Sequence, residues 1–233
     1  MNNGIRFRSI FKLWIHGLLS AFLACSAHSS LQAQTNAESF FNAGLSNHQT
    51  GNYTAAVINF TKAIELDSRH VEAYCDRGVC KFFLRDYSGA ITDYDRAIAL
   101  NPKSEGYYCN RGQSRYALKD WNGAYADFNR CVALDTNYAP AYYNRGILWA
   151  SLEQFNLAIA DYTKALELHT GLREEDILFL RGNARGSLKD YVGAIADFTK
   201  VIELNPNYQN CSGVSARTNL ALSQKLFRES KKQ

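Results

Sequence analysis

Acidic residues are missing from the first 37 positions, which carry Arg6, Arg8 and Lys12; the first acid is Glu38. A bilayer-spanning run of about 20 apolar residues is also missing. The longest mostly apolar stretch, Leu13 to Ala24, is interrupted by His16 and Gly17. No CxxC pair and no Cys/His set with zinc spacing occurs, so no metal site is expected. There is no phosphate-cradling glycine loop, GxSxG, HExxH or dinucleotide glycine motif. Histidine is scarce: beyond position 33 only His48, His70 and His169 remain, and none stands near a Cys, Ser or second His at a catalytic spacing. The adjacent Glu174 and Glu175 fall in a loop and are read as solvated. These absences argue against an enzyme and leave no residue to assign to catalysis, a metal or a cofactor. Charge excludes another class. Of 26 basic residues three lie in the N-terminal segment, and 22 acidic residues face the rest, so the body is close to neutral. Nucleic acid is not expected as a partner, because phosphate binding needs a clustered basic face.

Periodicity fills the space these absences leave. Glycines recur at Gly44, Gly78, Gly112, Gly146 and Gly182. Twelve residues after each stands an alanine: Ala56, Ala90, Ala124, Ala158 and Ala194. Four further on is an aromatic (Phe60, Tyr94, Phe128, Tyr162, Phe198), and three after that a short side chain (Ala63, Ala97, Cys131, Ala165, Val201). Repeats are counted here from Ala37, Val71, Glu105, Ala139 and Glu175. Apolar positions three and four apart make one face of a helix. Glycine at position 8 and alanine at position 20 let two helices cross closely. Polar turns such as Asn52, Asp120 and Asp190 suit the N-cap of each second helix. Pro102 and Pro206 stop second helices, and Pro140 suits a first turn.

Glycine, alanine, aromatic and small residue at a 34-residue period resemble the tetratricopeptide repeat (TPR) family. The resemblance covers roughly Ala37 to Tyr208. It implies an all-α fold: a right-handed α-solenoid of five antiparallel helix pairs, 37–70, 71–104, 105–138, 139–172 and 175–208. Stacking them buries faces that a single pair cannot. The loop HTGLREED holds two extra residues. Residues 209–228, with Leu220, Leu222, Leu226 and Phe227, are read as a capping helix, and 229–233 as a disordered tail.

The N-terminal order of basic start, apolar centre and small-residue exit reads as a secretory signal over residues 1–33, leaving Gln34 first in a domain over 34–208. That makes the chain exported, periplasmic or extracellular, and suggests a bacterial envelope. The alternative is a lipoprotein anchored through Cys25 in FLAC, the only route by which a membrane enters. Five cysteines remain beyond it, and an odd number leaves at least one thiol or an intermolecular pair. Cys75 and Cys109 stand one repeat apart, too far for a bridge at helix separations of about 8–10 Å. Cys131 replaces a small core alanine and is read as a small hydrophobe.

Position 7, normally leucine in the family, is Arg77, Arg111, Arg145 and Arg181, but Ala43 in the first repeat. Position 23 changes with it: Asp93, Asp127, Asp161 and Asp197, but Asn59. A salt bridge within each of repeats two to five is expected. The resemblance also implies that first helices line a concave face that holds a protein or peptide partner. The residues expected there are Phe41, Asn42, Phe82, Asn110, Gln113, Tyr116, Tyr143, Asn144, Ile147 and Phe179, with Asn110, Asn144, Tyr116 and Tyr143 at the centre. Asparagine amides suit a peptide backbone, and aromatics give contact area. TPR domains that clamp acidic chaperone tails carry lysines at positions 2 and 5. Neither position holds lysine here, so an uncharged or amphipathic peptide is expected.

Overall fold

At four of the five glycines at position 8, the contact is made by the absence of an atom. A Cβ at Gly44 would lie 2.5 Å from the Phe60 ring, at Gly112 2.6 Å from Phe128, at Gly146 2.7 Å from Tyr162 and at Gly182 2.8 Å from Phe198. The rings they admit are at most 2% exposed. Removing such a side chain from water is worth about 1.5–3 kcal/mol, so close crossing is what stabilises each pair. The computed structural model describes residues 34–168, 171–210 and 212–232. The N-terminal signal and the Cys25 anchor expected from sequence lie outside them.

Eleven helices run through the described residues: α1 over 34–49, α2 Tyr53–Leu66, α3 Val71–Phe83, α4 Tyr87–Leu100, α5 Glu105–Ala117, α6 Trp121–Leu134, α7 Ala139–Ser151, α8 Phe155–Glu167, α9 Glu174–Ser187, α10 Tyr191–Leu204 and α11 Ala216–Ser230. No strand occurs among them, only an isolated bridge between Gln209 and Ser215. None of these helices is long and apolar enough to cross a membrane. The fold is all-α, built from antiparallel helix pairs. Two compact units divide the chain, Met1–Asp86 and Tyr87–Gln233.

In the first unit α2 packs on α3, and Phe60 is its central ring, with Phe41 5.7 Å away. In the second unit, α4 to α11 pack in chain order. A second set of contacts joins α5 to α7, α7 to α9 and α9 to α11. The first helices thus form a row of their own, and α11 takes the next place in it. Ala216 of α11, 1% exposed, packs in the core with Phe179, Phe198 and Tyr208.

The cap differs from expectation at both ends. It begins at Ala216 rather than near 209, because Asn210 folds a turn first. The Asn210 side-chain oxygen accepts from the Ser212 and Val214 backbones at 3.0 and 2.8 Å, and Gly213 takes φ of 76°. It also continues through Glu229 to Ser230, past the expected limit.

Between first and second helices the chain reverses through one left-handed residue: Gly51, Arg85, Lys119, Glu153 and Lys189 have φ between 58° and 76°. Glycine supplies it only in the first repeat; the other residues bear the strain of a Cβ there. The next residue caps the second helix where its side chain is short. Asn52, Asp120 and Asp190 accept from the backbone three residues on, at 3.2, 3.0 and 2.9 Å. Gln154 makes no such bond.

Candidate functional site

Arginine at position 7 is anchored from three sides. Arg111 on α5 donates through Nε and Nη2 to both oxygens of Asp127 on α6, at 3.0 and 2.6 Å. Arg145 grips Asp161 at 2.8 and 2.8 Å, and Arg181 grips Asp197 at 3.1 and 2.7 Å. The carboxylates are nearly buried, with Asp127 2% exposed. Burial works against the Arg111 charge, but hydrogen bonds to Asp127 and Asp95 outweigh it and hold the guanidinium firmly protonated. Arg77 and Asp93 belong to different units; Arg77 is half-buried and Asp93 is 1% exposed.

The remaining nitrogen, Nη1, reaches back to the preceding second helix. Arg77 meets Thr61 Oγ1 at 3.0 Å, Arg111 meets Asp95 at 2.6 Å, Arg145 meets Asn129 at 2.7 Å and Arg181 meets Thr163 at 3.0 Å. Sequence reasoning missed this arm, although an oxygen-bearing side chain recurs there in every repeat. It also missed Arg115 and Arg185 at position 11. Each adds a second cation to a buried aspartate, at 2.8 Å from Asp127 and from Asp197. Tyrosine three residues earlier lies under the guanidinium: Arg111 over Tyr108 and Arg145 over Tyr142, both 5.5 Å from the ring centre.

The first-helix row in the second unit carries the expected groove residues, but not all of them face outward. Phe179 is 1% exposed and stacks on Phe198 and Tyr208, at 5.7 and 5.1 Å. Its place is the core, so its assignment to a binding face is corrected. Cys109 at the same repeat position is buried too. Asn144, expected at the centre of the face, does not hold its amide free for a ligand. Instead it donates to the Pro140 carbonyl at 2.7 Å and to Cys109 Sγ at 3.4 Å. Gln113 leans toward the same sulfur at 4.0 Å. Asn110 is half-buried, and among the described residues its side-chain amide makes no hydrogen bond. Tyr116, half-buried, packs on Trp121 and shares a 2.7 Å hydrogen bond with Ser151 of α7. Ile147 and Tyr143 are half-buried beside them.

In the first unit, Phe41 stacks 4.5 Å from His70, whose Nε2 lies 3.5 Å from Glu38. Asn42 is exposed and donates weakly to Glu38 at 3.5 Å. Phe82 meets Phe83 edge-on at 6.0 Å. Position 6 here is Asp76, and burial holds its carboxyl above the usual carboxylate range, with His48 opposing the rise.

Beneath the row, Tyr162 has the only buried side-chain polar atom without a hydrogen-bond partner among the described residues. Three of its four equivalents, Phe60, Phe128 and Phe198, lack the hydroxyl. We therefore expect Tyr162→Phe to leave stability unchanged or raise it by up to about 1 kcal/mol, since no bond is lost and a desolvated hydroxyl is removed. A urea midpoint that falls by more than that energy would show a partner for the hydroxyl. At the end of the row a groove of about 300 Å³ opens between α9, α10 and α11. Asn183 accepts from Asn219 across it at 2.7 Å, a contact that no periodicity marks. No group of three or more His, Cys, Asp or Glu among the described residues could hold a metal ion.

Comparison with known proteins places this arrangement. Two family models, each described as tetratricopeptide repeat, match residues 71–104, 139–169 and 175–208, and residues 37–70. No curated protein matches the chain. Solved structures do. Pseudomonas aeruginosa pilF is 19% identical with a TM-score of 0.72, covering 86% of this chain and 88% of its own. MamA from Desulfovibrio magneticus RS-1 is 22% identical with a TM-score of 0.65, covering 75% and 98%. YrrB, described as a TPR protein with an unusual peptide-binding site, is 20% identical with a TM-score of 0.58, covering 72% and 86%. At these identities the likeness is one of fold.

Proposed function

Because the chain belongs to the tetratricopeptide repeat family, we propose that it is a noncatalytic scaffold of five repeats that holds a peptide or protein segment along its first helices. The observation that carries this is the Asn110 amide, uncommitted on α5 one turn before Gln113 and two before Tyr116. An amide can both donate to and accept from an extended backbone. Tyr116, Tyr143 and Ile147 then supply apolar contact around it. YrrB, a TPR protein described by its peptide-binding site, supports the choice of ligand class. Asn144 plays a lesser part, because its amide already serves Pro140 and Cys109.

Affinity capture with the chain from Gln34 onward, followed by mass spectrometry, identifies the partner. Calorimetry then tests the face. Asn110→Ala is expected to weaken binding by about 1–3 kcal/mol, the cost of leaving a buried polar group of the partner unsatisfied. Its unfolding midpoint should stay near that of the parent. Unchanged affinity would remove Asn110 from the groove.

Export is part of the proposal, supported by the basic, apolar and small-residue order of residues 1–33. The envelope location follows from it. The mass of the mature N-terminus decides between forms: Gln34 marks a freely exported scaffold, and diacylated Cys25 a membrane-anchored subunit of an envelope assembly.

A further inference from the structure

Position 12 of the first helices loses its side chain toward the end of the row. It holds His48, Phe82, Tyr116, Ala150 and Gly186. In the first and third repeats the ring there meets the ring at position 17. His48 lies 5.7 Å from Tyr53, and Tyr116 5.3 Å from Trp121. Tyr116 also reaches the next first helix, where its hydroxyl shares a 2.7 Å hydrogen bond with Ser151.

In the fifth repeat the side chain is gone but its surroundings are kept. Tyr191 stands at position 17 and lines the groove, and among the described residues no ring pairs with it. The next place in the row belongs to α11. Its register is set by the bond from Asn219 to Asn183, which spans 36 residues. The same offset brings Leu222, with Ser223 beside it, opposite Gly186. Both line the groove of about 300 Å³, as does Leu226. Ser223 is 6% exposed, and among the described residues its hydroxyl makes no hydrogen bond. Unlike the Tyr162 oxygen it is not sealed in, because it borders the groove.

Packing does not select Gly186. Gly182, one turn earlier, is pressed by Phe198, but a Cβ at Gly186 would meet nothing within 4 Å, and its φ lies outside the left-handed region. Glycine weakens a helix relative to alanine. Its effect here is to keep the groove open.

We propose that this groove binds a tyrosine side chain of the partner peptide. The ring enters over Gly186, packs against Tyr191 and is covered by Leu222 and Leu226. Its hydroxyl meets Ser223, as that of Tyr116 meets Ser151. A phenol sunk in an apolar slot needs such a partner, and a serine hydroxyl can donate or accept. The volume is at the lower end of those that enclose small ligands. No charged residue lines the groove among the described residues, so it suits a neutral tyrosine and not a phosphorylated one. The source of the side chain rests on the reading of the first-helix row as a peptide face.

The test adds N-acetyl-tyrosinamide to the full chain and follows it by amide-resolved NMR. The backbone amides of Gly186, Ser187, Tyr191 and Ser223 should shift and saturate in the millimolar range, as a single side chain allows. N-acetyl-phenylalaninamide should bind at the same amides about threefold to tenfold more weakly, the worth of one hydrogen bond. Ser223→Ala should bring the two ligands level. Gly186→Tyr should fill the groove from within and abolish binding of both, with the signals of α5 and α7 unchanged. Asn110→Ala should leave the binding of tyrosinamide intact, so failure of the groove and failure of the peptide face are told apart. The proposal is overturned if these amides show no saturable shift, if the two ligands bind equally, or if the shifts survive Gly186→Tyr. Should that variant not fold, a preference for tyrosine that survives Ser223→Ala overturns it instead. Sedimentation of the parent as a dimer that Gly186→Tyr disperses would assign the groove to a second copy and overturn it as well.

Discussion

Gly112→Leu unfolds the second unit in conditions where the parent chain is folded. A Cβ alone at this site would stand 2.6 Å from Phe128 Cε1 and 3.2 Å from the Asp127 Cβ. Phe128 is 1% exposed and packed among Tyr108, Cys109, Ala124 and Cys131 in one core cluster. Moving the helices apart would also stretch the bidentate bonds between Arg111 and Asp127. Overpacking of a well-filled core costs about 1–3 kcal/mol for modest insertions. An isobutyl group that also breaks a buried ion pair should cost about 4–5 kcal/mol or more, which is a large share of a domain's stability. Gly106 provides the contrast on the same helix. A Cβ there would meet nothing nearer than Ser104 Oγ at 3.8 Å. Gly106→Ala should therefore raise stability by about 0.5–1 kcal/mol through helix propensity, while Gly112→Ala lowers it. Urea denaturation followed by circular dichroism reads all three. Equal effects at the two glycines would show that the close crossing is not what selects Gly112.

Asp127→Ala is the second large loss, about 3–5 kcal/mol, because it removes the buried counter-ion shared by two largely buried guanidiniums and leaves them only the half-exposed Asp95 and Asp120. Asp127 receives Arg111 through both oxygens and Arg115 through one, while its own side chain is 3% exposed. Arg111 and Arg115 are 15% and 24% exposed, so neither can simply turn into water. Arg111 keeps only the exposed Asp95. Among the described residues Asp161 has Arg145 alone as a charged partner, and Asp161→Ala should cost less. Combining Asp127→Ala with Arg111→Ala tests the coupling. The double variant should recover about 0.5–3 kcal/mol relative to the summed single losses. Strict additivity, or a single loss under about 1 kcal/mol, would place these charges with solvated surface pairs.

How far the sequence announced these features depends on where the determining contact lies. Gly112 and Phe128 stand sixteen residues apart on two helices joined by a short turn. Arg111 and Asp127 share that spacing, so periodicity alone brings both pairs to one crossing. The joint change to Ala43 and Asn59 in the first repeat pointed the same way. Contacts between repeats are less legible, because they depend on how far one pair rotates against the next. Position 5 shows this. Phe179 was read as facing a ligand, yet the neighbouring packing closes over it, as it does over Cys109 at the equivalent position. Asn144 was placed at the centre of the binding face, yet the Pro140 carbonyl and Cys109 of the preceding repeat already accept from its amide. The late start of α11 has a local cause, a side-chain turn at Asn210, which a helix-period pattern in the downstream leucines hides.

The backward-reaching arm of each arginine makes the array modular in a directed sense. Every repeat from the second to the fifth brings a donor for the repeat before it and an acceptor for the repeat after it. A whole unit copied in place would therefore arrive with both halves of its connection. Loop length does not enter the match: Arg181 meets Thr163 across eighteen residues as closely as Arg77 meets Thr61 across sixteen. The two ends of such an array are chemically unlike. Deleting repeats from the front strands a guanidinium nitrogen, whereas deleting them from the back strands only a neutral hydroxyl or amide or a solvated carboxylate. Shortening from the back is the gentler change, and this polarity is written in the side chains rather than in the path of the chain.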